Sequence, residues 1–349
     1  MDTFRDRLLD EREASVLSAL VYDFIATGKP VGSRTFVQKY RFSISPATMR
    51  NIMADLETMG YLKQPHTSAG RVPTDRGYRY YVDSLLEKYH SVAGDIEVSE
   101  EVLSKEMQFE KLFYSITKML SSESQYAGVM LTPSPYFAVL KKIELIPLAA
   151  NEVLAILVAR TGMIFTKKVK ISASLTQDAI YDLSKYLNSE LCGYAIQDIK
   201  ESVIGRLREQ DMRNAVSGMA LDIAELSISG GENVSKLYVD GMENLFKIPD
   251  MIEKENLDSL LHLIEEKNIL RNLLEMAINV DGVRTMIGSE IKNAAVKGCS
   301  MVTTSYKIGN RKVGVVGVLG PRRMDYEKVV PLVDYTGRVV SDLLTKMSG

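Results

Sequence analysis

Residues 45–62 read SPATMRNIMADLETMGYL, and this stretch decides how the first part of the chain folds. Ser45 can accept a hydrogen bond as a helix N-cap, Pro46 suits the first helical position, and Gly60 stops the helix. Apolar residues repeat at intervals of three and four, which places them on one buried face. That face comprises Met49, Ile52, Met53, Leu56 and Met59. The stretch therefore predicts an amphipathic helix with one polar side exposed to solvent.

Two further helices are predicted before this one. Residues from about 10 to 26 carry apolar side chains at helical spacing, and Gly28 and Pro30 end the segment. Ser33 is expected to cap a second helix that runs to about Tyr40. A short turn then leads into the helix that Ser45 caps, so three helices follow one another with brief connections.

A β-hairpin is predicted directly after the third helix. Tyr61–Lys63 and Arg71–Pro73 are short strand-like segments on either side of the turn-rich sequence PHTSAG, residues 65–70. The sequence TDRGYRYYVDSLLEKY, residues 74–89, is helical again. Helix, helix, turn, helix and hairpin in this order are typical of a winged helix-turn-helix, in which one helix enters the major groove of DNA.

Basic residues are concentrated in this same part of the chain. The 349-residue protein has a net charge of −2, but residues 28–80 contain nine Lys and Arg against three Asp and Glu, a local charge of +6. The rest of the chain carries −8. A local positive field favours a nucleic-acid partner, because contacts to phosphate dominate the affinity of such complexes.

The polar face of the third helix supplies residue types that recognise base edges. Arg can form two hydrogen bonds with guanine, Asn can do so with adenine, and methyl groups can contact thymine. The predicted base-contacting residues are Ala47, Thr48, Arg50, Asn51 and Ala54. The predicted contacts to the DNA backbone, or through the wing, are Ser43, Ser45, Arg34, Lys39, His66, Arg71 and Arg76. A merely solvated polar face is the alternative, and the helix order together with the charge favours DNA binding.

The remainder of the chain alternates strand-like and helical segments, which indicates an α+β protein. A polar, acidic linker is expected at 91–106. Four strands that follow it imply an antiparallel sheet: Tyr126–Leu131, Phe137–Leu148, Glu152–Ala159 and Met163–Ile171. Helices are predicted at 176–190, about 203–227 and about 250–277, with a strand at Lys236–Val239. The strands Ser300–Ile308 and Lys312–Leu319 and a helix from about Asp325 to Met347 complete the pattern.

The sequence contains no pattern typical of catalysis or metal binding. The two cysteines, Cys192 and Cys299, are far apart, and the three histidines are scattered. In the run VGVVGVLG, residues 313–320, the glycine spacing suits a buried strand and lacks the order of a phosphate-binding loop. His262 is expected to pack among leucines. We therefore expect no enzyme activity, no cofactor and no metal.

Three segments carry a resemblance to a known family. TSAGRVPTDRGYRYYVD (residues 67–83), which follows SPATMRNIMADLETMGYL, resembles the N-terminal region of the HrcA family of bacterial heat-inducible transcription repressors. VDGMENLF (239–246) and VRTMIGSE (283–290) are similar to later stretches of the same family. The resemblance implies a winged-helix DNA-binding domain, a GAF-like domain and an inserted dimerisation domain. It also implies repression of chaperone operons through an inverted repeat, with activity maintained by the GroE chaperonin.

These observations lead to expected domain boundaries and to a preferred function. The DNA-binding domain is expected at 1–90, the linker at 91–106, the GAF-like domain at 107–195 and 276–349, and the dimerisation domain at 196–275. The preferred function is that of a homodimeric repressor on double-stranded DNA. The alternative is a metabolite-responsive regulator with a ligand near Tyr136, Phe137 and Phe165. An enzyme joined to a DNA-binding domain is disfavoured, because the residues of an active site are missing.

The expected location follows from the absence of membrane signals in the sequence. No segment approaches the roughly 20 apolar residues that cross a bilayer, and the N-terminal residues have no signal-peptide core. A cytoplasmic, nucleoid-associated protein without a membrane partner is therefore expected.

Overall fold

The computed structural model of the protein describes residues 8–66, 69–91, 109–133, 138–149, 151–160, 162–171, 175–210, 215–228, 235–252, 254–293, 296 and 298–348. Helices combine with antiparallel strands, which confirms the predicted α+β class. The expected linker lies almost entirely outside the described residues.

Three helices and a two-stranded antiparallel sheet open the fold. They are α1 (Glu11–Thr27), α2 (Ser33–Tyr40), α3 (Pro46–Thr58), β1 (Leu62–Lys63) and β2 (Val72–Pro73), followed by α4 (Asp75–Ser91). Their order and approximate ends agree with the sequence prediction. The predicted cap of α2 is wrong, because Gly32 occupies its N-cap and Ser33 is already its first helical residue. Gly32 offers no side chain, so the first amides of α2 have no side-chain cap.

The apolar face predicted for α3 is buried against α1. Met49, Met53, Leu56 and Met59 are almost fully buried, and Ile52 is partly buried beside them. They share a core with four side chains of α1, namely Val16, Leu17, Leu20 and Val21. Burial of one such side chain contributes about 1.5–3 kcal/mol, so this packing holds α3 with its polar face outward.

The rest of the chain contains eight more strands among the described residues. They are β3 (Ala127–Leu131), β4 (Leu140–Ala149), β5 (Glu152–Ala159), β6 (Ile164–Lys170), β7 (Leu237–Asp240), β8 (Val283–Ile287), β9 (Cys299–Ile308) and β10 (Arg311–Pro321). The helices are α5 (Phe109–Ser124), α6 (Gln177–Leu191), α7 (Ile196–Asp198), α8 (Ile204–Gln210), α9 (Ala215–Ile228), α10 (Met242–Leu245), α11 (Lys254–Glu265), α12 (Lys267–Glu275) and α13 (Tyr326–Ser348). A π-helical turn, Ile199–Val203, joins α7 to α8, and short 3-10 turns lie at Pro249–Met251 and Gly288–Glu290.

The strands form two separate sheets, so the single sheet expected from the sequence is wrong. Five antiparallel strands follow the order β7-β3-β10-β9-β8, whereas β4, β5 and β6 form a sheet of their own. Helices cover both faces of the five-stranded sheet. In β3, Met130 packs in the core that contains α5 and α13, while Val129 and Leu131 pack in the core that contains α11 and α12.

The three-stranded sheet belongs to a unit with its own core. Buried side chains of β4, β5 and β6 pack with those of α6, α8 and α9 in one cluster that spans residues 138–228. The chain leaves the five-stranded sheet after β3 and returns to it at β7, because Leu131 and Leu237 are paired neighbours in that sheet. We call residues 138–228 the 138–228 unit.

The expected boundaries at 195/196 and 275/276 therefore do not coincide with the packing. Residues 196–228 share the core of the 138–228 unit, and residues 245–277 share a core with the five-stranded sheet. A segment 196–275 contains parts of both cores, so it has no core of its own. The sequence pattern identified most of the elements but did not reveal which of them pack together.

A close approach of α5 to β3 predicts a strong effect at Gly128. A Cβ atom at this position would lie 2.2 Å from the carbonyl oxygen of Thr117, which is backbone and cannot swing aside. We expect Gly128→Ala to destabilise the five-stranded sheet by about 1–3 kcal/mol, seen as a lower melting temperature in calorimetry. Gly218→Ala is the matched control, since α9 has open space there and alanine favours a helix. An unchanged melting temperature for Gly128→Ala would contradict the packing.

Candidate nucleic-acid interface

The polar face of α3 is exposed along its length. Ala47, Thr48, Arg50 and Asn51 are exposed, and Ala54 is partly buried. Within the described part of the chain, the side chains of Arg50 and Asn51 have no hydrogen-bond or ion-pair partner. Their donors and acceptors are therefore available to an external ligand, as base recognition requires.

Both ends of α3 are fixed by hydrogen bonds. At its start, the Ser45 hydroxyl accepts the Thr48 amide at 3.1 Å, which confirms the predicted cap. At its end, the Arg76 guanidinium donates to the Met59 carbonyl at 2.9 Å and lies 4.5 Å from the centre of the Tyr61 ring. Arg76, a predicted backbone contact, thus also supports the end of α3. A helix held at both ends presents its exposed residues in a defined position.

A third backbone segment completes the small sheet beside α3. The Val31 and Arg71 backbones exchange two hydrogen bonds of 2.9 Å, which adds Val31 to the edge of the β1–β2 pair. Gly70 permits this approach, because a Cβ there would lie 2.4 Å from the Val31 backbone. His66 is exposed at the turn of the hairpin, and its carbonyl accepts the Ala69 amide.

Glu57 connects α3 to both strands of the hairpin. Its carboxylate lies 2.8 Å from Nη2 of Arg71 and accepts the Gln64 amide at 3.1 Å. Arg71 was predicted as a DNA contact, and the structure places its guanidinium within this internal ion pair. The pair fixes the position of the β1–β2 hairpin relative to the exposed face of α3.

The other predicted backbone contacts fall into two groups. Lys39 forms an ion pair with Asp23, and the hydrogen bond between them raises the pKa of Lys39. Arg34 and Ser43 are on the surface, as are three further cations, Lys29, Arg41 and Lys63. Several of the nine basic residues counted at 28–80 are exposed and have no ion-pair partner among the described residues, among them Lys29, Arg34, Arg41, Arg50 and Lys63.

A cleft lies between the start of α2, α3 and the wing. It has a volume of about 490 Å³, and its lining includes Gly32, Ser33, Arg50, Gln64 and Arg71. The uncapped first turn of α2 opens toward this cleft, and helix N-termini attract anions through their free amides and their dipole. The arrangement suits an anion such as a phosphate beside the exposed face of α3.

The ion pair between Glu57 and Arg71 predicts that removal of a negative charge weakens DNA binding. We expect Glu57→Ala to weaken binding to every duplex although it removes a negative charge, because the wing loses its attachment to α3. Arg71→Ala should weaken specific and non-specific duplexes alike. The two changes should be non-additive by about 0.5–3 kcal/mol in a double-mutant cycle of dissociation constants. Tighter binding by Glu57→Ala would show that Arg71 acts on DNA independently of the pair.

The structure also shows the surroundings of the cysteines, glycines and histidine that were considered for catalysis or ligand binding. Burial raises the pKa of the Cys299 thiol to about 12 and also raises that of Cys192, which makes both poor nucleophiles. Gly314 and Gly317 lie in β10, where a Cβ would collide with Tyr306 and with the Val302 backbone. His262 is exposed near Glu266, so the expectation that it packs among leucines is wrong.

Of the three residues predicted to line a metabolite pocket, Phe165 alone lies within the described part of the chain. Tyr136 and Phe137 lie outside the described residues, and Phe165 packs in the core of the 138–228 unit. Within the described residues there is no group of three His, Cys, Asp or Glu side chains placed to hold a metal ion. None of the described helices combines the length and apolar character needed to cross a membrane.

Comparison with known proteins identifies relatives over nearly the full length. The family profile described as "HrcA protein C terminal domain" matches residues 110–330. The chain is 37% identical to "Heat-inducible transcription repressor HrcA" of Leptospira biflexa, over 97% of this chain and 99% of the relative. It is 35% identical to the protein of the same name from Geobacter sulfurreducens, over 96% and 98%.

A solved structure shares the overall fold. A crystal structure described only as a hypothetical protein superposes with a TM-score of 0.63 at 24% identity, covering 97% of this chain and 100% of that one. The near-complete matches to curated relatives establish that the chain belongs to the HrcA family of heat-inducible transcription repressors.

Proposed function

We propose that this repressor binds double-stranded DNA through a winged helix-turn-helix formed by α1 to β2. The observation that carries the proposal is the unpaired, exposed couple Arg50 and Asn51 on a helix fixed at both ends. In the major groove, Arg50 would donate to guanine and Asn51 would pair with adenine. Thr48, Ala47 and Ala54 would contact neighbouring bases, while Ser43, Ser45 and Arg34 would contact phosphate.

The operator is proposed to be an inverted repeat bound by a homodimer. One winged helix contacts only a few base pairs, so specificity against a genome requires two DNA-binding regions, and a two-fold dimer matches an inverted repeat. We assign the dimer contact to the 138–228 unit. It exposes large apolar side chains, among them Tyr181 at 69% and Ile164 at 64% of their full accessible surface. A dimer contact on this unit would bury these side chains, as contacts between proteins bury exposed apolar surface.

Regulation is proposed to act through the chaperonin. The five-stranded sheet with helices on both faces would be the GAF-like body, and the GroE chaperonin would maintain active dimers in the cytoplasm near the nucleoid. During heat shock, unfolded proteins would compete for the chaperonin, the active fraction of repressor would fall by mass action, and chaperone operons would be expressed. A reporter that responds to heat equally with chaperonin in excess would refute this mechanism.

The test of DNA recognition begins with operator selection. The full-length protein is incubated with random duplex DNA, and bound sequences are recovered and sequenced. We expect an inverted repeat, with a dissociation constant at physiological salt that is at least about 10³-fold lower than for unrelated duplex. Genome-wide occupancy before and after heat shock should show the same repeat at chaperone operons and its release after stress. Recovery of no preferred sequence would refute the proposal.

Metal removal gives a further prediction. Cys192 and Cys299 are separate in the fold, and no described cluster suits a metal ion. We expect EDTA to leave the dissociation constant for the operator unchanged when buffer Mg²⁺ is matched. A loss of binding that zinc restores would contradict this expectation, because bound structural zinc stabilises the folded state.

A further inference from the structure

Polar side chains join α4 to the five-stranded sheet at a single junction. Arg79 donates from Nε to Glu290 at 2.7 Å, from Nη1 to the Thr285 hydroxyl at 2.7 Å and from Nη2 to the Thr285 carbonyl at 2.8 Å. Asp75, one turn earlier, accepts the Ser289 amide at 2.9 Å and lies 3.3 Å from Nη1 of Arg322. We call Asp75, Arg79, Thr285, Glu290 and Arg322 the docking cluster.

Contacts continue along the full length of α4. The Tyr81 hydroxyl donates to Glu327 at 3.0 Å, and the Tyr89 hydroxyl donates to Asp334 at 3.0 Å, both acceptors belonging to α13. Apolar packing lies beneath these bonds, because Tyr78, Tyr81 and Val82 share one core with side chains of β8 and α13. The docking cluster holds the first turns of α4 and these contacts hold its later turns, so the helix can pivot only when one of the two sets is lost.

A second helix of the DNA-binding region is held from the same side. Arg323 follows β10, donates to the carbonyl of Ile25 near the end of α1, and pairs with Asp250. Gly28, with φ of 65°, allows this approach, since a Cβ there would lie 3.2 Å from the Arg323 guanidinium. Contacts to both α1 and α4 fix the rotation of the region as well as its distance from the sheet.

Arg79 also shows that this network is distinct from the DNA-binding surface. Its guanidinium belongs to the basic segment 28–80, yet it faces Glu290 and Thr285. Desolvation opposes the charge of Arg79, and the hydrogen bonds and charge attractions of Glu290 and Asp83 together outweigh it and raise the pKa of Arg79. With these acceptors, the half-buried guanidinium holds α4 against the five-stranded sheet.

We propose that the docking cluster makes the protein specific for the spacing between two half-sites. The proposal rests on the proposed function, in which a dimer binds an inverted repeat. If each α3 is rigidly oriented relative to its five-stranded sheet, and the 138–228 unit that carries the dimer contact is held in place on that sheet, the two recognition helices of a dimer are separated by a fixed distance and rotation. B-DNA repeats every 10–10.5 base pairs, so five extra base pairs move one half-site to the opposite side of the duplex. A region on a flexible tether would follow that movement.

The experiment measures binding to a spacer series. The probes are duplexes that carry the selected half-sites with the natural spacer, with five extra base pairs, or with ten, and a duplex with a single half-site. For the unaltered full-length protein we expect the five-base-pair insertion to lower the affinity about 10²-fold. The affinity would then approach that for a single half-site, because the two half-sites could no longer be bound together. For Arg79→Met with Glu290→Gln, the loss should be less than about tenfold. Single half-site affinity should be the same for both proteins.

Controls separate this proposal from the one on which it rests. Glu87→Gln makes the same carboxylate-to-amide change on α4 at an exposed position and should keep the unaltered spacer profile. If circular dichroism shows that the double variant does not fold, Asp75→Asn with Arg322→Met tests the same cluster. Equal binding of the unaltered protein to all spacers, or an unchanged profile in folded cluster variants, overturns the spacing proposal. Failure of the unaltered protein to bind even one half-site refutes the proposed function instead.

Discussion

Replacing both Arg50 and Asn51 by alanine is expected to abolish operator specificity without unfolding the protein. Each side chain would contribute about 1–3 kcal/mol of base discrimination, so the double variant should lose about 2–6 kcal/mol of specific binding. Both residues are exposed, and the buried face of α3 and its caps are unaffected. Affinity for unrelated duplex should fall much less, because the other exposed cations would still be free to contact phosphate.

The measurement is a titration of operator and unrelated duplex at several salt concentrations. Lys63→Ala is the matched control, since it removes an exposed cation of the same basic segment away from the base-reading face. It should weaken both duplexes by the same factor and reduce the salt dependence by about one counterion. If Asn51→Ala and Arg50→Ala leave the ratio of the two affinities unchanged, the exposed face of α3 does not read bases.

Local signals explain why the N-terminal region was predictable from the sequence. The Ser45 cap, the three- and four-residue periodicity of α3 and the turn after Gly60 are set by residues close in sequence. The cap of α2 is the exception. Serine and glycine both occur at helix N-caps, so the sequence Gly32-Ser33 does not show which of the two occupies that position. The exposed face, and with it the candidate base contacts, follows directly from this local pattern.

Long-range pairing explains what the sequence could not show. The strands β3 to β6 were each recognised, but alternation within a strand does not specify which strand lies beside it. The sequence also left four elements unpredicted: the short helices α7 and α10, the helix α5 and the strand β8. α5 follows an acidic, polar segment that suggested a linker, and β8 is a short edge strand with only three buried residues. The two ion pairs also could not be predicted. Arg71 pairs with Glu57 and Arg79 pairs with Glu290, and neither partner is a near neighbour in the sequence.

Removing the 138–228 unit is expected to give a folded monomer that binds one half-site. The ends of β3 and β7 are already neighbours: the Thr132 amide donates to the Lys236 carbonyl at 2.9 Å, and the Lys236 amide donates to the Thr132 hydroxyl at 2.8 Å. Replacing residues 133–235 by Asn-Gly closes this antiparallel pair with a two-residue type I′ turn. The five-stranded sheet and the N-terminal region keep their cores, because the removed unit has a core of its own.

The deletion should weaken operator binding strongly, because the protein loses the dimer contact and with it the second half-site. Without a dimer, the second half-site is no longer bound intramolecularly, so affinity for the inverted repeat should fall by about 10²–10⁴-fold toward that for a single half-site. Sedimentation should report a monomer. The comparison protein lacks 196–275 instead, and we expect it to misfold because that deletion cuts two cores. If the Asn-Gly protein still dimerises, the contact lies elsewhere, and the exposed Leu261 and Ile264 on α11 become the alternative surface.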